Sequence, residues 1–318
     1  MPLLERGDTL PPMLRRFGMR LLYTLPALWL VLTLVFLLIH VVPGDPVQQM
    51  LGEGAAPAEV GQLRHALGLD LPVQAQYARY LRGLLRGDLG QSFKFRAPVA
   101  RIICERYPAT LELAFVALLV CAAIGIPAGA LAAYRRGRFA DRAAGVFTLL
   151  GLAVPNFALG PVLILVFSIF LGWLPVSGRD GPLNLVLPAA TLGAALAAIL
   201  TRMVRGAMLE ELSSDYVRTA RAKGLSPFAV LIRHALRNAL IPVMTILGLQ
   251  FGTLLAGAIV TETIFSWPGI GRLAVQAISA RDYPLLQGCI LVIATSYVAV
   301  NFLTDLLYAA VDPRVRAS

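Results

Sequence analysis

The sequence predicts an all-α polytopic membrane protein with six membrane-spanning helices. Composition is the first reason. Of 318 residues, 58% are hydrophobic and only 14% are charged, against roughly 25% charged in a soluble domain. Mean hydropathy is +0.73. The second reason is length: a helix needs about 20 mostly apolar residues to cross the hydrocarbon. Runs of that kind lie near residues 21–42, 109–133, 143–171, 185–204, 240–264 and 285–308. The third is an asymmetric distribution of basic residues between the connections.

The chain opens with an arm, residues 1–20, carrying Arg6, Arg15, Arg16 and Arg20. The first apolar run, 21–42, is too long for a removable signal and lacks a small-residue cleavage site after it, so it is expected to remain as a span. Residues 43–107 are too many for a simple connector. They begin with a turn at Pro43, Gly44, Asp45 and Pro46. Val60, Leu63 and Leu67, then Gln74, Tyr77, Leu81 and Leu84, predict two short helices broken by Gly68 and Pro72. Residues 87–92 read as a further turn.

Residues 108–309 hold the other five spans. Pro155-Asn156 interrupts the third and should bend it. The fourth is short and rich in alanine and glycine around Gly193, which lets neighbouring membrane helices approach closely. The fifth closes on Glu262-Thr263-Ile264-Phe265-Ser266-Trp267-Pro268-Gly269-Ile270-Gly271. There Trp267 suits an anchor at the membrane–water interface and Pro268-Gly269 a turn. Glu262 is expected near water, paired with Arg272 or Arg281. Glu112, Arg202, Arg205 and Asp305 are likewise expected as helix-end or inter-helix ties. Arg281-Asp282-Tyr283-Pro284 leads into the sixth span, and residues 310–318, with Asp312, Pro313, Arg314 and Arg316, form a polar tail.

With the N-terminus inside, seventeen of the 28 Lys and Arg residues fall on the inner side and three in the two short outer loops. The remaining eight lie in 43–107, and segments of that length translocate largely regardless of charge. Both termini are therefore expected in the cytoplasm, as is the connection 206–238. The net charge of +10 follows from this asymmetry rather than from a nucleic-acid partner.

The inner connection is itself patterned as two helices. Ser213 or Ser214 can cap the first, with Asp215 in its first turn. Tyr216, Thr219, Ala220 and Lys223 follow on one face. Gly224 fits the left-handed helix end, Leu225 follows, and Ser226-Pro227 restarts a helix. Phe228, Leu231, Ile232, Ala235 and Leu236 make an apolar stripe, with Arg233, His234, Arg237 and Asn238 mostly off it. Such a segment either lies among lipid headgroups or docks into a partner protein. Small residues at Ala220, Ala222 and Gly224 favour close approach by a partner.

Catalytic and cofactor motifs are missing from the sequence. There is no G-x-x-x-x-G-K-S/T, G-x-G-x-x-G, H-E-x-x-H or C-x-x-C, and no nucleophile beside a base. Cys104, Cys121 and Cys289 are isolated, and His40, His65 and His234 have no second ligand at metal spacing. No enzyme activity, resident cofactor or metal is expected of this chain.

The segment Asp215 to Pro242 resembles the EAA loop of binding-protein-dependent ABC importer permeases. That loop reads Glu-Ala-Ala, three residues, Gly, nine residues, then Ile-x-Leu-Pro. Here Arg218-Thr219-Ala220 stands for Glu-Ala-Ala and Gly224 is the glycine. His234-Ala235-Leu236-Arg237 replaces Ile-x-Leu-Pro. The departures match the dipeptide/oligopeptide/nickel branch, and the Glu262–Gly271 string, Gly68-Leu69-Asp70 and Gly87-Asp88-Leu89-Gly90 are similar to the same branch. The resemblance covers essentially the whole chain and points to the first permease subunit of such systems.

The resemblance implies a type I ABC importer permease fold and a heterodimer with a second, homologous permease. It also implies two cytoplasmic ATPase subunits, which would hold ATP and Mg, and a substrate-binding protein outside a bacterial inner membrane. Residues 206–238 would then couple to the ATPases. The outer turn at Pro43, Gly44 and Asp45, with Glu262, Trp267, Pro268, Gly269, Arg281 and Asp282, would form an outer gate or scaffold facing the binding protein. Residues 43–107 would contact that protein, cover the entrance, or only cap the outer helix ends. A pore would be lined from the third to fifth spans, where Asn156, Thr191, Thr201, Met203, Thr245, Gln250 and Thr253 are the polar or soft residues. Dipeptide is the first choice of cargo, with glutathione, nickel and longer peptides as alternatives. A stand-alone secondary transporter is a rival, but it would carry mid-membrane ionisable residues and perhaps inverted repeats, neither of which is clear here. A membrane scaffold recruiting another protein is the other rival.

Overall fold

The computed structural model describes residues 24–37, 47, 51 and 56–311. The N-terminal arm, Pro43, Gly44, Asp45, and the tail from Asp312 lie outside the described residues. Among the described residues regular structure is helical, with one isolated β-bridge between Gln91 and Pro98.

Helix α1 is Thr24–Leu37, an apolar helix within the first expected span. Two short helices follow, α2 (Pro57–Leu67) and α3 (Val73–Leu85). Gly68, with φ of 68°, ends α2 in the left-handed conformation that a Cβ disfavours. This is the pair of short helices that the sequence predicts.

Helix α4 (Val99–Tyr134) is the second span, but it has 36 residues. It starts ten residues before the apolar run and at about 1.5 Å per residue is far longer than the hydrocarbon is thick. Arg101, Glu105 and Arg106 decorate this extension, which is why hydropathy misses it. Helices α5 (Phe139–Ala153) and α6 (Asn156–Phe170) occupy the third expected span as an apolar pair bent by 104°. The bend expected at Pro155 has a local cause. Val154 sits at φ −89°, ψ 114° and Pro155 at φ −65°, ψ 143°, so two consecutive extended residues stop the helix.

Helix α7 (Leu183–Leu212) is the fourth span and α8 (Asp215–Ala222) lies in the inner connection. Helix α9 joins Pro227–Ala229, a π-helical stretch Val230–Leu236 and Arg237–Gly257. It therefore runs from the inner connection through the fifth span without a break. Short α10 (Ile259–Ile264) and α11 (Ile270–Ser279) precede the last span, α12 (Tyr283–Val311). Among the described residues four helices are long and apolar enough to cross a membrane, or five if the bent pair is one span; the remaining expected span, the first, is represented by the shorter α1.

Helix α7 is the centre of the bundle: half of its apolar window is buried, against 11% for α12. Small residues explain how closely it packs. A Cβ on Gly193 would fall 2.7 Å from the Ala117 carbonyl oxygen, and one on Gly129 would fall 2.6 Å from the Thr201 carbonyl oxygen. Helices α4 and α7 thus touch backbone to backbone, which only glycine permits. On the α5 side, a Cβ on Gly151 would collide with the Cβ of Ala198.

Candidate functional site

The inner connection is built from α7 outward. Ser213 and Ser214 do not cap α8, contrary to expectation. Their hydroxyls donate back to the carbonyls of Glu210 and Glu211, at 2.7 and 2.6 Å. Ser214 still holds the extended N-cap backbone, with ψ 155°. Asp215 opens the helix, loosely facing Arg218 at 3.6 Å on the surface.

The buried face of α8 is Val217 and Ala220, which with Val230 form a small core of their own. Val217 was not singled out in the sequence, because the face expected from Tyr216, Thr219, Ala220 and Lys223 is rotated. Tyr216 and Lys223 are exposed. The Thr219 hydroxyl donates to the Asp215 carbonyl at 3.1 Å, and that of Tyr216 donates to the Glu211 carboxylate. Partial burial, then the neighbouring Glu211, pushes the Tyr216 phenol above its ordinary value.

Gly224 has φ of 79° and nothing within 4 Å of the place a Cβ would occupy. The glycine is required by backbone shape, not by crowding within the chain. The Ser226 hydroxyl accepts the Ala229 amide at 3.3 Å and Pro227 takes the first turn, as expected. The stripe beyond it is altered. Residues 230–236 form a wider π-type turn, so Val230, Leu231 and Ala235 are buried while Phe228 is 72% exposed and Ile232 43%. His234 and Asn238 are half-buried; Arg233 and Arg237 are exposed. The loop therefore presents Leu225 and Phe228 among Arg218, Arg221, Lys223, Arg233 and Arg237, on a base anchored in the bundle.

Arg205, expected as a tie, finds a partner at the root of this loop that the sequence did not single out. Arg205 on α7 makes a two-point contact with Asp141 on α5, at 2.5 and 3.0 Å. Asp141 also accepts the Gly137 amide at 2.9 Å. Asp141 is the one acid among Arg135, Arg136, Arg138 and Arg142, a signal the sequence did carry. The pair ties the preceding inner turn to the helix that feeds α8.

The outer closure differs from expectation at its centre. Glu262 is fully buried and pairs with neither arginine side chain. Its carboxylate accepts the Thr110 hydroxyl at 2.7 Å and the Arg272 backbone amide at 2.9 Å. The Arg272 guanidinium instead donates to the Ser266 carbonyl at 2.6 Å. Thr110 in turn accepts the Ile270 amide at 2.8 Å. The turn around Pro268 is wrapped about the carboxylate so tightly that a Cβ on Gly269 would lie 2.1 Å from it.

Trp267 is also buried, at 1% exposure, rather than anchored at an interface. Its indole N–H donates to the Ala109 carbonyl at 2.8 Å. Arg179 lies over its ring at 5.6 Å and reaches Glu112 at 2.5 Å. Burial follows because the turn folds back onto α4, where the Trp267 indole meets the Ala109 carbonyl. Asp282 is a third buried anchor. It accepts the Ser92 hydroxyl at 2.5 Å and the Lys94 amide at 3.0 Å, and caps α12 through the Leu285 amide at 3.2 Å. It holds residues 91–98 against the start of α12. Arg281 is exposed, with φ of 51°.

The residues expected to line a pore do not share one environment. Thr191 and Thr201 are buried and donate to carbonyls of their own helix. Gln250 is buried and accepts from the Cys121 thiol at 3.2 Å. Thr245 and Asn156 are half-buried; Thr253 and Met203 are exposed. Thr253 lies with Pro242, Leu249 and Val260 on one exposed face of the fifth span.

Comparison with known proteins gives a consistent result. Residues 125–317 match the family described as "Binding-protein-dependent transport system inner membrane component". Residues 13–114 match the N-terminal part of such membrane components. The chain is 45% identical over 333 residues to the di/tripeptide transport system permease protein DppB of Pseudomonas aeruginosa (strain UCBPP-PA14), covering 96% of this chain and 99% of that one. It is 44% identical to the dipeptide transport system permease protein DppB of Escherichia coli (strain K12), covering 95% and 98%. It is equally similar, at 44%, to the glutathione transport system permease protein GsiC of the same strain, covering 93% and 97%. Among solved structures, an inward-facing MetNI methionine ABC transporter matches 66% of this chain and 96% of its own, with a TM-score of 0.55 at 19% identity. That likeness concerns the fold.

Proposed function

The chain belongs to the family of binding-protein-dependent transport system inner membrane components, and we propose that it forms half of the pathway by which an ABC importer takes up dipeptides or other short peptides. The other half is a second, homologous permease. Two ATPase subunits in the cytoplasm bind ATP and Mg, and a substrate-binding protein delivers cargo on the outer side. Both termini of this chain and residues 206–238 lie in the cytoplasm.

The observation that supports this most is the inner connection. Its exposed face mixes Leu225 and Phe228 with five basic side chains, while its base is Val217, Ala220 and Val230. Helix α9 then runs from Pro227 to Ala256 as one apolar rod. A force applied at the loop would move the fifth span directly. ATP binding in the partners would bias one of two packings of the bundle through this element. The buried outer anchors Glu262, Trp267 and Asp282 keep the opposite end in one piece while the inner end moves.

Short peptides are the cargo favoured by the di/tripeptide and dipeptide relatives. Glutathione is the second reading, because a glutathione permease is equally similar; nickel and longer peptides use machinery of the same kind. The test is ATP-driven uptake into vesicles holding the chain with its partner subunits and binding protein. Labelled dipeptide is expected to accumulate only with ATP and binding protein present. Uptake of glutathione but not dipeptide selects the second reading. Uptake by the chain alone, without ATPases, overturns the proposal.

A further inference from the structure

Beside the start of α12, residues 91–98 close into a tightly bonded turn. The Ser92 amide donates to the Ala97 carbonyl and the Arg96 amide to the Ser92 carbonyl, both at 3.0 Å. The Phe95 amide donates to the Ser92 hydroxyl oxygen at 3.0 Å. That hydroxyl and the Lys94 amide both donate to the buried Asp282 carboxylate. The Asp282 amide in turn donates to the Ala277 carbonyl at 2.9 Å, so the node reaches the end of α11.

The backbone at this node is strained. Among the described residues three other than glycine have positive φ, and two of them stand here: Arg96 at 50° and Arg281 at 51°. Glycine would relieve both positions. Such a conformation persists in an L-residue only where the surroundings fix it. Folding alone is better served by glycine, so the two arginine side chains call for a use outside the chain's own packing. Both are exposed. Neither they nor Lys94 pair with a carboxylate among the described residues.

Apolar surface lies among these charges. Phe95 is 40% exposed and Ile278, beside Ala277, is 59% exposed. The Lys94 ammonium stands 5.5 Å from the centre of the Phe95 ring. Arginine and aromatic groups on a rigid support are the kind that dominate protein interfaces. Residues 56–107 carry eight Lys and Arg against four Asp and Glu. Three of those acids are engaged locally: Asp70 by His65, Asp88 by the Gly90 amide and Glu105 by Arg101. On the importer reading this segment lies outside, where topology gives no reason for a basic excess. An acidic partner supplies one.

We propose that the turn at 92–96, with Arg281 and Ile278 beside it, is a preformed docking point for an acidic surface of the substrate-binding protein. The proposal rests on the importer reading and names the contact through which its outer partner is held. A lipid surface rewards the number of charges and adapts to their positions. A strained, fully bonded turn gains against a partner of fixed shape, because its ordering cost is met before binding.

The test titrates the assembled importer, in phosphatidylcholine nanodiscs, with the system's purified binding protein. Arg96→Gly and Arg281→Gly remove a side chain and relieve the backbone. Their melting temperatures are expected to stay level or rise while affinity falls about tenfold in each. Added salt should weaken binding to the parent more than to the variants. Lys94→Gln leaves the backbone untouched and should weaken binding by a smaller factor; it decides if a glycine variant does not assemble. Parental affinity in the variants overturns the docking point alone. A parent that binds no binding protein overturns the importer reading and the docking point with it. Unchanged protein binding with reduced retention of phosphatidylglycerol would assign the turn to lipid and overturn the proposal.

Discussion

The Glu262 carboxylate accepts the Thr110 hydroxyl at 2.7 Å although 152 residues separate them. The contact joins the end of the fifth span to the second, and both side chains are buried. The same carboxylate receives the Arg272 amide, so one buried acid organises α4, α10 and the turn that starts α11. A surface ion pair would contribute little. A buried carboxylate with its donors in place is different, because each donor left behind carries its own desolvation cost.

Glu262→Ala should therefore destabilise the outer closure strongly. It orphans the Thr110 hydroxyl and the Arg272 amide, at about 1–3 kcal/mol for each buried donor. Glu262→Gln keeps one acceptor and should lie between. Thermal unfolding of the purified assembled protein measures both. A melting curve for Glu262→Ala that overlays the parent's would show that the node is not holding the closure.

Gly269→Ala tests the same node from the other side. The backbone at Gly269 is extended, with φ −92° and ψ −179°, so alanine causes no conformational strain there. The whole cost should come from the Cβ lying 2.1 Å from the carboxylate. Overpacking of this kind costs about 1–3 kcal/mol. In a Glu262→Ala background the added cost should nearly vanish, since the obstacle is gone. Strictly additive destabilisation in the double variant would refute the contact.

The Arg205–Asp141 pair is half-open to solvent on the arginine side, at 36% exposure, and mostly covered on the aspartate side, at 12%. Its coupling energy should be about 1 kcal/mol, at the upper end for partly exposed pairs. Arg205→Lys should lose most of it, because an ammonium cannot reproduce the two-point contact. A double-mutant cycle on unfolding with Asp141→Asn and Arg205→Gln measures the coupling. A coupling energy of zero would make the pair incidental.

The legible part of the fold follows from patterns with strong physical causes. Pro155 bends the third span because the residue before a proline avoids helix. Gly224 and Ser226-Pro227 mark a helix end and a restart because left-handed backbone and a capped first turn admit few other residues. The illegible part needs tertiary knowledge. Glu262 looks like a span-end acid from its neighbours, and only α4 folding against it supplies Thr110. Trp267 has the composition of an interface anchor until its turn packs onto Ala109. The exposure of Phe228 depends on the wider turn at 230–236, which shifts the stripe and has no signature in spacing. The residues considered for a pore were chosen by polarity alone, and polarity does not distinguish Thr253, which is exposed, from Thr191, which is buried, although both hydroxyls donate to carbonyls of their own helix.

Gly224 offers the most direct test of coupling. Its φ of 79° costs an L-residue about 1–2 kcal/mol, less for asparagine, which visits this region most readily. Nothing in the chain lies within 4 Å of a Cβ there, so substitution creates no internal clash. Gly224→Asn, Gly224→Ala and Gly224→Val should therefore all insert in the membrane at near-normal levels, because a strained exposed turn does not unfold a bundle packed around α7. Their uptake should fall in that order and be abolished for valine if, as proposed, an ATPase subunit docks closely against this backbone. Uptake and membrane level are measured side by side, the second by quantitative immunoblot. Valine at this position with full uptake would refute docking of the ATPases at the turn. Loss of uptake that merely tracked loss of membrane level would assign the defect to folding instead.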